Sequence, residues 1–224
     1  PAGQADPVGP DALSAPDDRS RPRSSAVAVG LALITLLVTA HFAAYTYVRP
    51  VLEERTGLSS GTVALLLLVY GGFGLAGNFA AGAAAARRAR ATVLVLAAGI
   101  SVAIALLALL GGSAGATGVG IALWGLAYGG LSVAGQIWMT RSAPHRVEQI
   151  TGVYVGVFTA AIALGAFLGG TVVEAAGITP LLWGAAALAT AALAVGLLGR
   201  AGPERARRAG NTAGRTADPA APRP

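Results

Sequence analysis

"ATVLVLAAGISVAIALLALLGGSAGATGVGIALWGLAYGGLSVAGQIWMT", residues 91–140, runs for fifty residues without an Asp, Glu, Lys or Arg. A hydrocarbon core of about 30 Å takes about 20 apolar residues at 1.5 Å each, so this stretch holds two crossings, divided at the glycine-rich "GGSAGATG" of 111–118. Charge is also absent from 26–48, 61–86, 149–173 and 175–199, each the length of one crossing. The sequence therefore predicts an all-α membrane protein with six transmembrane helices: Ala26–Val48, Gly61–Ala84, Ala91–Leu110, Thr117–Thr140, Gln149–Val173 and Pro180–Gly199. Composition agrees: the 224 residues are 54% hydrophobic and 12% charged, where a soluble domain is roughly 25% charged. The alternating segments of about 10 residues that build membrane barrels are missing from the pattern.

Arginine sets the expected orientation. The chain has no Lys, and fourteen of its sixteen Arg flank one set of helix ends: Arg19, Arg21 and Arg23; Arg87, Arg88 and Arg90; Arg141 and Arg146; and six from Arg200 onward. Only Arg49 and Arg55 lie on the other side, so the positive-inside rule puts both termini in the cytoplasm of a multi-pass cell-membrane protein. The same distribution explains the pI of 10.7 by basic flanks on membrane helices rather than by nucleic-acid binding, and Arg205, Arg207 and Arg208 suit anionic lipid. With no Cys, disulfides, thiol nucleophiles and thiolate metal sites are excluded. No cofactor or metal is expected. Three regions follow: a disordered cytoplasmic linker over 1–24, rich in Pro, Asp, Ser and Gly, a six-helix domain over 25–199, and a disordered cytoplasmic tail over 200–224. Pro1 in place of Met and a polar lead into the first helix suit a piece of a longer protein.

An internal repeat is visible at an offset of 88 residues, which lays "YGGFGLAGNFAAG" (70–82) over "FTAAIALGAFLGG" (158–170) and matches Gly77 with Gly165, Phe79 with Phe167 and Gly82 with Gly170. The offset spans three crossings, so the halves are inverted, a 3+3 pattern found in secondary transporters.

These residues carry a family resemblance. "HFAAYTYVRPVLEERTGLSSGTVALLLLVYGGFGLAGNFAAG" (41–82) resembles the seventh and eighth helices of major facilitator efflux proteins, in the branch of bacterial sugar, arabinose and ribonucleoside exporters. "LWGLAYGGLSVAGQIWMTRSAP" (123–144) and "VFTAAIALGAFLGGTVVEAAG" (157–177) are similar to the tenth and eleventh helices of that branch. The resemblance implies the C-terminal six-helix half of a twelve-helix transporter whose N-terminal half is missing here. It implies efflux of a small polar solute (sugar, nucleoside or drug-like molecule) by alternating access in a lipid bilayer, with proton antiport, and no enzymatic activity. Two positions depart from the family's pattern. Where it often has an acid in a Gly-x-x-x-Asp-Arg loop, Gly82 is followed by "AAAARRARA", so a latch there is weakened or uses another partner; and Thr159, not Asn, follows Phe158.

Candidate substrate-binding residues come from helical spacing. Trp124, Tyr128, Ser132 and Gln136 fall at steps of four and form one stripe, either a cavity wall or a helix-packing seam. His41 and Tyr45 share a face of helix one; Tyr70 and Asn78 join from helix two, and Tyr154 and Thr159 from helix five. Aromatic faces beside hydroxyl and amide groups suit sugars and nucleosides. His41 is either a proton carrier or a histidine hydrogen-bonded between helices. Thr35 and Thr39 are set aside, because a hydroxyl in a membrane helix can bond its own backbone. Gly125 with Gly129, Gly152 with Gly156, and Gly165 with Gly169 are small-x-x-x-small pairs that let backbones approach.

"RPVLEERTG" (49–57) reads as an outer turn in which Pro50 ends helix one, Arg49 and Arg55 are balanced by Glu53 and Glu54, and Ser59 or Ser60 caps the next helix. Two alternatives to transport stand beside this. One is a six-helix assembly or scaffold protein; the other is an intramembrane serine hydrolase, suggested by "GLSSG" (57–61) and "GGSAG" (111–115), matches that 32 glycines produce cheaply. The orientation is testable because any introduced thiol is unique within this chain. An impermeant maleimide should label Gly112→Cys in intact cells and Arg87→Cys only after permeabilisation; the reverse pattern inverts the topology.

Overall fold

The computed structural model describes residues 21–199, with side chains from 26 onward, and over them the chain is a succession of helices joined by tight turns. The helices are α1 (Arg21–Tyr45), α2 (Val48–Thr56), α3 (Ser60–Leu110), α4 (Ala114–Gly129), α5 (Leu131–Ser142), α6 (Val147–Ala176) and α7 (Ile178–Leu198). Residues 1–20 and 200–224, most of the expected linker and tail, lie outside the described part, and α1 begins at Arg21, inside the stretch read as linker.

Sequence chemistry accounts for the helix ends. Ser59 is extended and accepts from the Thr62 backbone N–H at 3.3 Å, capping α3 as expected. Gly57, at φ 64°, closes α2 in the left-handed region that only glycine enters cheaply, and Gly177, at φ 86°, separates α6 from α7. Within α3, Arg88 leaves the helical region (φ −140°, ψ 63°) and divides its 51 residues into two arms.

Contacts fix the direction of each crossing. Leu66 faces Gly118, Tyr70 meets Gly125, Gly74 meets Gly129 and Arg141 reaches Ala85 and Ala86, so the first arm of α3 runs parallel to α4–α5. Past Arg88 the order reverses, with Leu107 and Ala103 beside Gly120 but Gly99 beside Ala127. The chain therefore turns back at Arg88. On the other side, Thr39 and Ala43 pack on Gly165 and Ala43 and Tyr47 on Gly169, making α6 parallel to α1, whereas Val29 meets Gly199 and Leu33 meets Gly196, making α7 antiparallel. Six crossings result among the described residues, with the connections at 46–59, 111–113 and 177 at one end and those at 88 and 143–146 at the other.

The inverted repeat is realised in the packing. The first repeat is α1 with the two arms of α3; the second is α4–α5, α6 and α7. Gly77 of the first arm lies against the Leu126 backbone of α4, and its counterpart Gly165 of α6 lies against the Thr39 carbonyl of α1. Each repeat thus lays its middle crossing on the first helix of the other. Of the three glycine pairs, Gly125/Gly129 and Gly165/Gly169 mediate backbone contact, while Gly152 and Gly156 meet nothing within 4 Å. The first arm and α6 also keep large apolar side chains outward, including Leu68, Phe73, Phe79, Val155 and Phe167.

Four expectations are corrected. Helix four is not continuous, because it breaks at Gly130, where Ala81 and the Gly77 carbonyl crowd the backbone. Residues 48–56 form a short helix rather than an open turn, because Val48, Val51 and Leu52 are apolar on one face and buried. Pro50 sits in the first turn of α2, where its missing N–H costs no hydrogen bond, so it starts a helix rather than ending one. Glu53 does pair with Arg49 at 2.9 Å, and that hydrogen bond holds its carboxyl below the usual carboxylate range, but Arg55 turns to the protein instead.

Arg55 donates to the Ala108 carbonyl at 3.1 Å and Thr179 Oγ1 at 3.4 Å; Arg90 donates to the Gly196 carbonyl at 2.6 Å; Arg141 donates to the carbonyls of Ala85 (3.0 Å) and Ala86 (2.9 Å). Each guanidinium covers the C-terminal carbonyls of a neighbouring crossing, where intrahelical donors run out and the helix dipole is negative. Arg141 thereby meets the backbone carbonyls at the end of the first arm of α3, in the "AAAARRARA" run that carries no acid.

Overpacking by one residue typically costs about 1–3 kcal/mol. Gly165→Leu, aimed at the α1 backbone, should lower the thermal unfolding temperature in detergent while leaving insertion intact. Gly184→Leu, at a site with nothing within 4 Å, should leave the melting temperature near that of the wild type.

Candidate functional site

Side chains from both repeats meet in a ring cluster inside the bundle. Tyr70 and Trp124 each lie ten residues past the first residue of α3 and of α4, or about 15 Å along the helix, near the middle of a core about 30 Å thick. His41 and Tyr45 come from α1 in the first repeat, Tyr70 from the first arm of α3, and Trp124 and Tyr128 from α4 in the second.

Trp124 Nε1 donates to His41 Nδ1 at 2.9 Å. The His41 ring is parallel to Tyr128 within 2° at a centroid distance of 3.5 Å, and within 15° of Tyr45 at 5.3 Å. Tyr45 lies 5.0 Å from Tyr70, and Trp124 presents its ring at right angles to Tyr45 (6.0 Å) and Tyr70 (6.1 Å). Phe42, which the spacing argument passed over, closes the cluster edge-on to His41 at 4.8 Å and to Tyr128 at 6.0 Å. Its signal was adjacency to His41 alone, since helical periodicity places it on another face. His41 and Trp124 are fully buried, and two polar atoms of the cluster, His41 Nε2 and Tyr70 Oη, are buried with no partner among the described residues. No charged side chain takes part in these contacts.

The other candidates are placed differently. The stripe from Trp124 to Gln136 is divided by the break at Gly130: Trp124 and Tyr128 sit under α1, while Ser132 and Gln136 are exposed. Tyr154 is buried and donates its hydroxyl to the Ser132 carbonyl at 3.1 Å, joining α6 to α5 just after the break, with Phe158 at 5.8 Å. Asn78 is half-buried and Thr159 exposed; no hydrogen bond or ring contact among the described residues links either to the cluster. Thr35 bonds the carbonyl of Leu31 on its own helix, as its chemistry suggests, but Thr39 reaches across to the Ala161 carbonyl of α6.

The hydrogen bond ties His41 of α1 to Trp124 of α4. An indole only donates, so Nδ1 is the acceptor, and a proton arriving there would have to displace Trp124. The serines of the two Gly-x-Ser-x-Gly matches are helix starts: Ser59 is occupied with the Thr62 N–H, and Ser113 precedes α4.

Trp124→Phe keeps a ring but removes the donor from a buried acceptor, a loss of about 1–3 kcal/mol. The expected outcome is a clear drop in thermal stability in detergent, which His41→Phe with Trp124→Phe should partly restore by removing both unmatched polar atoms.

Comparison with known proteins gives two findings. The family model described as Major Facilitator Superfamily matches residues 31–223. The chain is 31% identical over 162 residues to a protein of Pseudomonas aeruginosa named Transcription regulatory protein OpdE, an alignment covering 72% of this chain and 40% of that protein. The chain thus spans less than half the length of that relative.

Proposed function

Because the chain belongs to the major facilitator superfamily, whose members carry out membrane transport, we propose that it is the six-helix C-terminal half of an exporter moving a small polar solute across the cell membrane by alternating access. The observation that carries the proposal is the uncharged ring cluster at the boundary between the inverted repeats, with two buried polar atoms that have no partner among the described residues. Transporters of this kind bind substrate near the midplane at the repeat boundary, and unmet polar groups in hydrocarbon are retained at functional sites.

In this reading His41, Tyr45, Tyr70, Trp124 and Tyr128 form the inner wall, while Ser132, Gln136, Tyr154, Asn78 and Thr159 line the path leading from it. The outward apolar faces of the first arm of α3 and of α6 dock the N-terminal half. Arg87, Arg88, Arg90, Arg141 and Arg146 mark the cytoplasmic end. Export is coupled to proton entry, and since the uncharged spans here hold no carboxylate, the carrier belongs to the partner half. The substrate class follows the resemblance to sugar and ribonucleoside exporters. The Pseudomonas aeruginosa relative is named for transcription regulation; any such effect of this chain would run through the solute that it moves.

The test is transport by the full-length protein reconstituted in liposomes, with a panel of labelled neutral solutes and an imposed proton gradient. Wild type should move at least one solute against its gradient, and Tyr128→Ala and Tyr70→Ala should each lower the rate about tenfold with insertion intact. Failure of wild type to move any solute, or full rates in both variants, rejects the proposal.

A further inference from the structure

Stacking and hydrogen bonding together fix where His41 points. The parallel rings of Tyr128 and Tyr45 set the plane of the imidazole, and the Trp124 indole sets its rotation within that plane. With Nδ1 the acceptor, the ring proton sits on Nε2, and that N–H is buried and unpartnered among the described residues. Folding leaves few buried donors unmatched, and each calls for an occupant. Tyr70 Oη, in the same cluster, is in the same condition. A cation presented to this site would meet a donor, and an anion would find no guanidinium among the rings.

We propose, on the footing of the transport reading above, that His41 Nε2–H is a recognition donor for the transported solute, with Trp124 as its positioning residue, and that the solute is a neutral ring compound offering a hydroxyl or carbonyl oxygen. Sugars and nucleosides share that chemistry. The cluster as it stands is the closed form, and the movement that admits solute from one side or the other uncovers Nε2.

The experiment uses the reconstituted full-length protein with tritiated uridine and tritiated arabinose as separate probes, which distinguishes a nucleoside from a sugar. Wild type moves one of them. His41→Gln, whose amide reaches the place of Nε2, keeps kcat/KM within about threefold, whereas His41→Asn, whose amide reaches only the place of Nδ1, loses about tenfold or more with unaltered insertion. An Asn variant as active as wild type means that His41 serves Trp124 alone and that a buried water satisfies Nε2. A Gln variant as impaired as Asn means that the imidazole itself, not its N–H, is required. Either result overturns the proposal. Transport of some other solute but neither probe overturns the substrate class while leaving the transport reading intact.

A measurement on wild type keeps the proposal open to refutation should a variant fail to fold. Diethyl pyrocarbonate, read by peptide mass at His41, should modify the ring several-fold more slowly with the transported probe at saturation. Equal modification with and without the probe, or none under any condition, shows that solute never reaches Nε2.

Discussion

Hydrocarbon offers a carbonyl no donor and a donor no acceptor, so every polar group that a membrane helix cannot satisfy by itself must be met by another part of the chain. The places where this bundle meets that demand are its structural joints. Arg55, Arg90 and Arg141 each reach a helix C-terminus on a neighbouring crossing. Tyr154 reaches the Ser132 carbonyl just after the helix breaks at Gly130, and Thr39 spans from α1 to α6. With so little charge in the crossings, these bonds tie one helix to the next among the described residues.

Close approach makes those bonds possible. Apolar contact alone does not hold helices together in lipid, since the tails are as apolar as leucine; the backbones must come near enough for dispersion contacts and short side chains to act. Glycine supplies this at matched positions of the two repeats, Gly77 on α4 and Gly165 on α1. The symmetry has a functional corollary: it brings the first helix of each repeat to the centre, and the rings of α1 and α4 meet there.

The ring cluster holds two of the three buried side-chain polar atoms that have no partner among the described residues, the third being Thr117 Oγ1 near the start of α4. Trp124 and His41 settle each other, yet the settlement leaves Nε2 with a proton and no acceptor. Elsewhere the hydroxyls of Thr35, Ser101 and Thr190 return to the backbone of their own helices. Two unmatched polar atoms within one ring cluster at the centre of the bundle are what separates a binding wall from a packing seam in the functional reading.

Charge and length alone determined the six crossings, because an ion in hydrocarbon costs too much to be placed carelessly and a span needs about 20 residues; the 88-residue repeat, legible as Gly77 over Gly165, was equally a matter of sequence. His41, Tyr45, Tyr70, Trp124 and Tyr128 were each legible as polar or aromatic side chains out of place in lipid. Periodicity says which residues share one helix face, but not which two faces meet, so the Trp124–His41 bond across 83 positions, the inclusion of Phe42 and the open setting of Gln136 and Thr159 were decided only in three dimensions. The same holds for Arg55, whose nearest charge in sequence is Glu54 but whose partners are Ala108 and Thr179. The Gly129–Gly130 pair in a glycine-rich chain does not by itself announce a break, and only the structure shows that α4 ends there with Ala81 and Gly77 packed against Gly130.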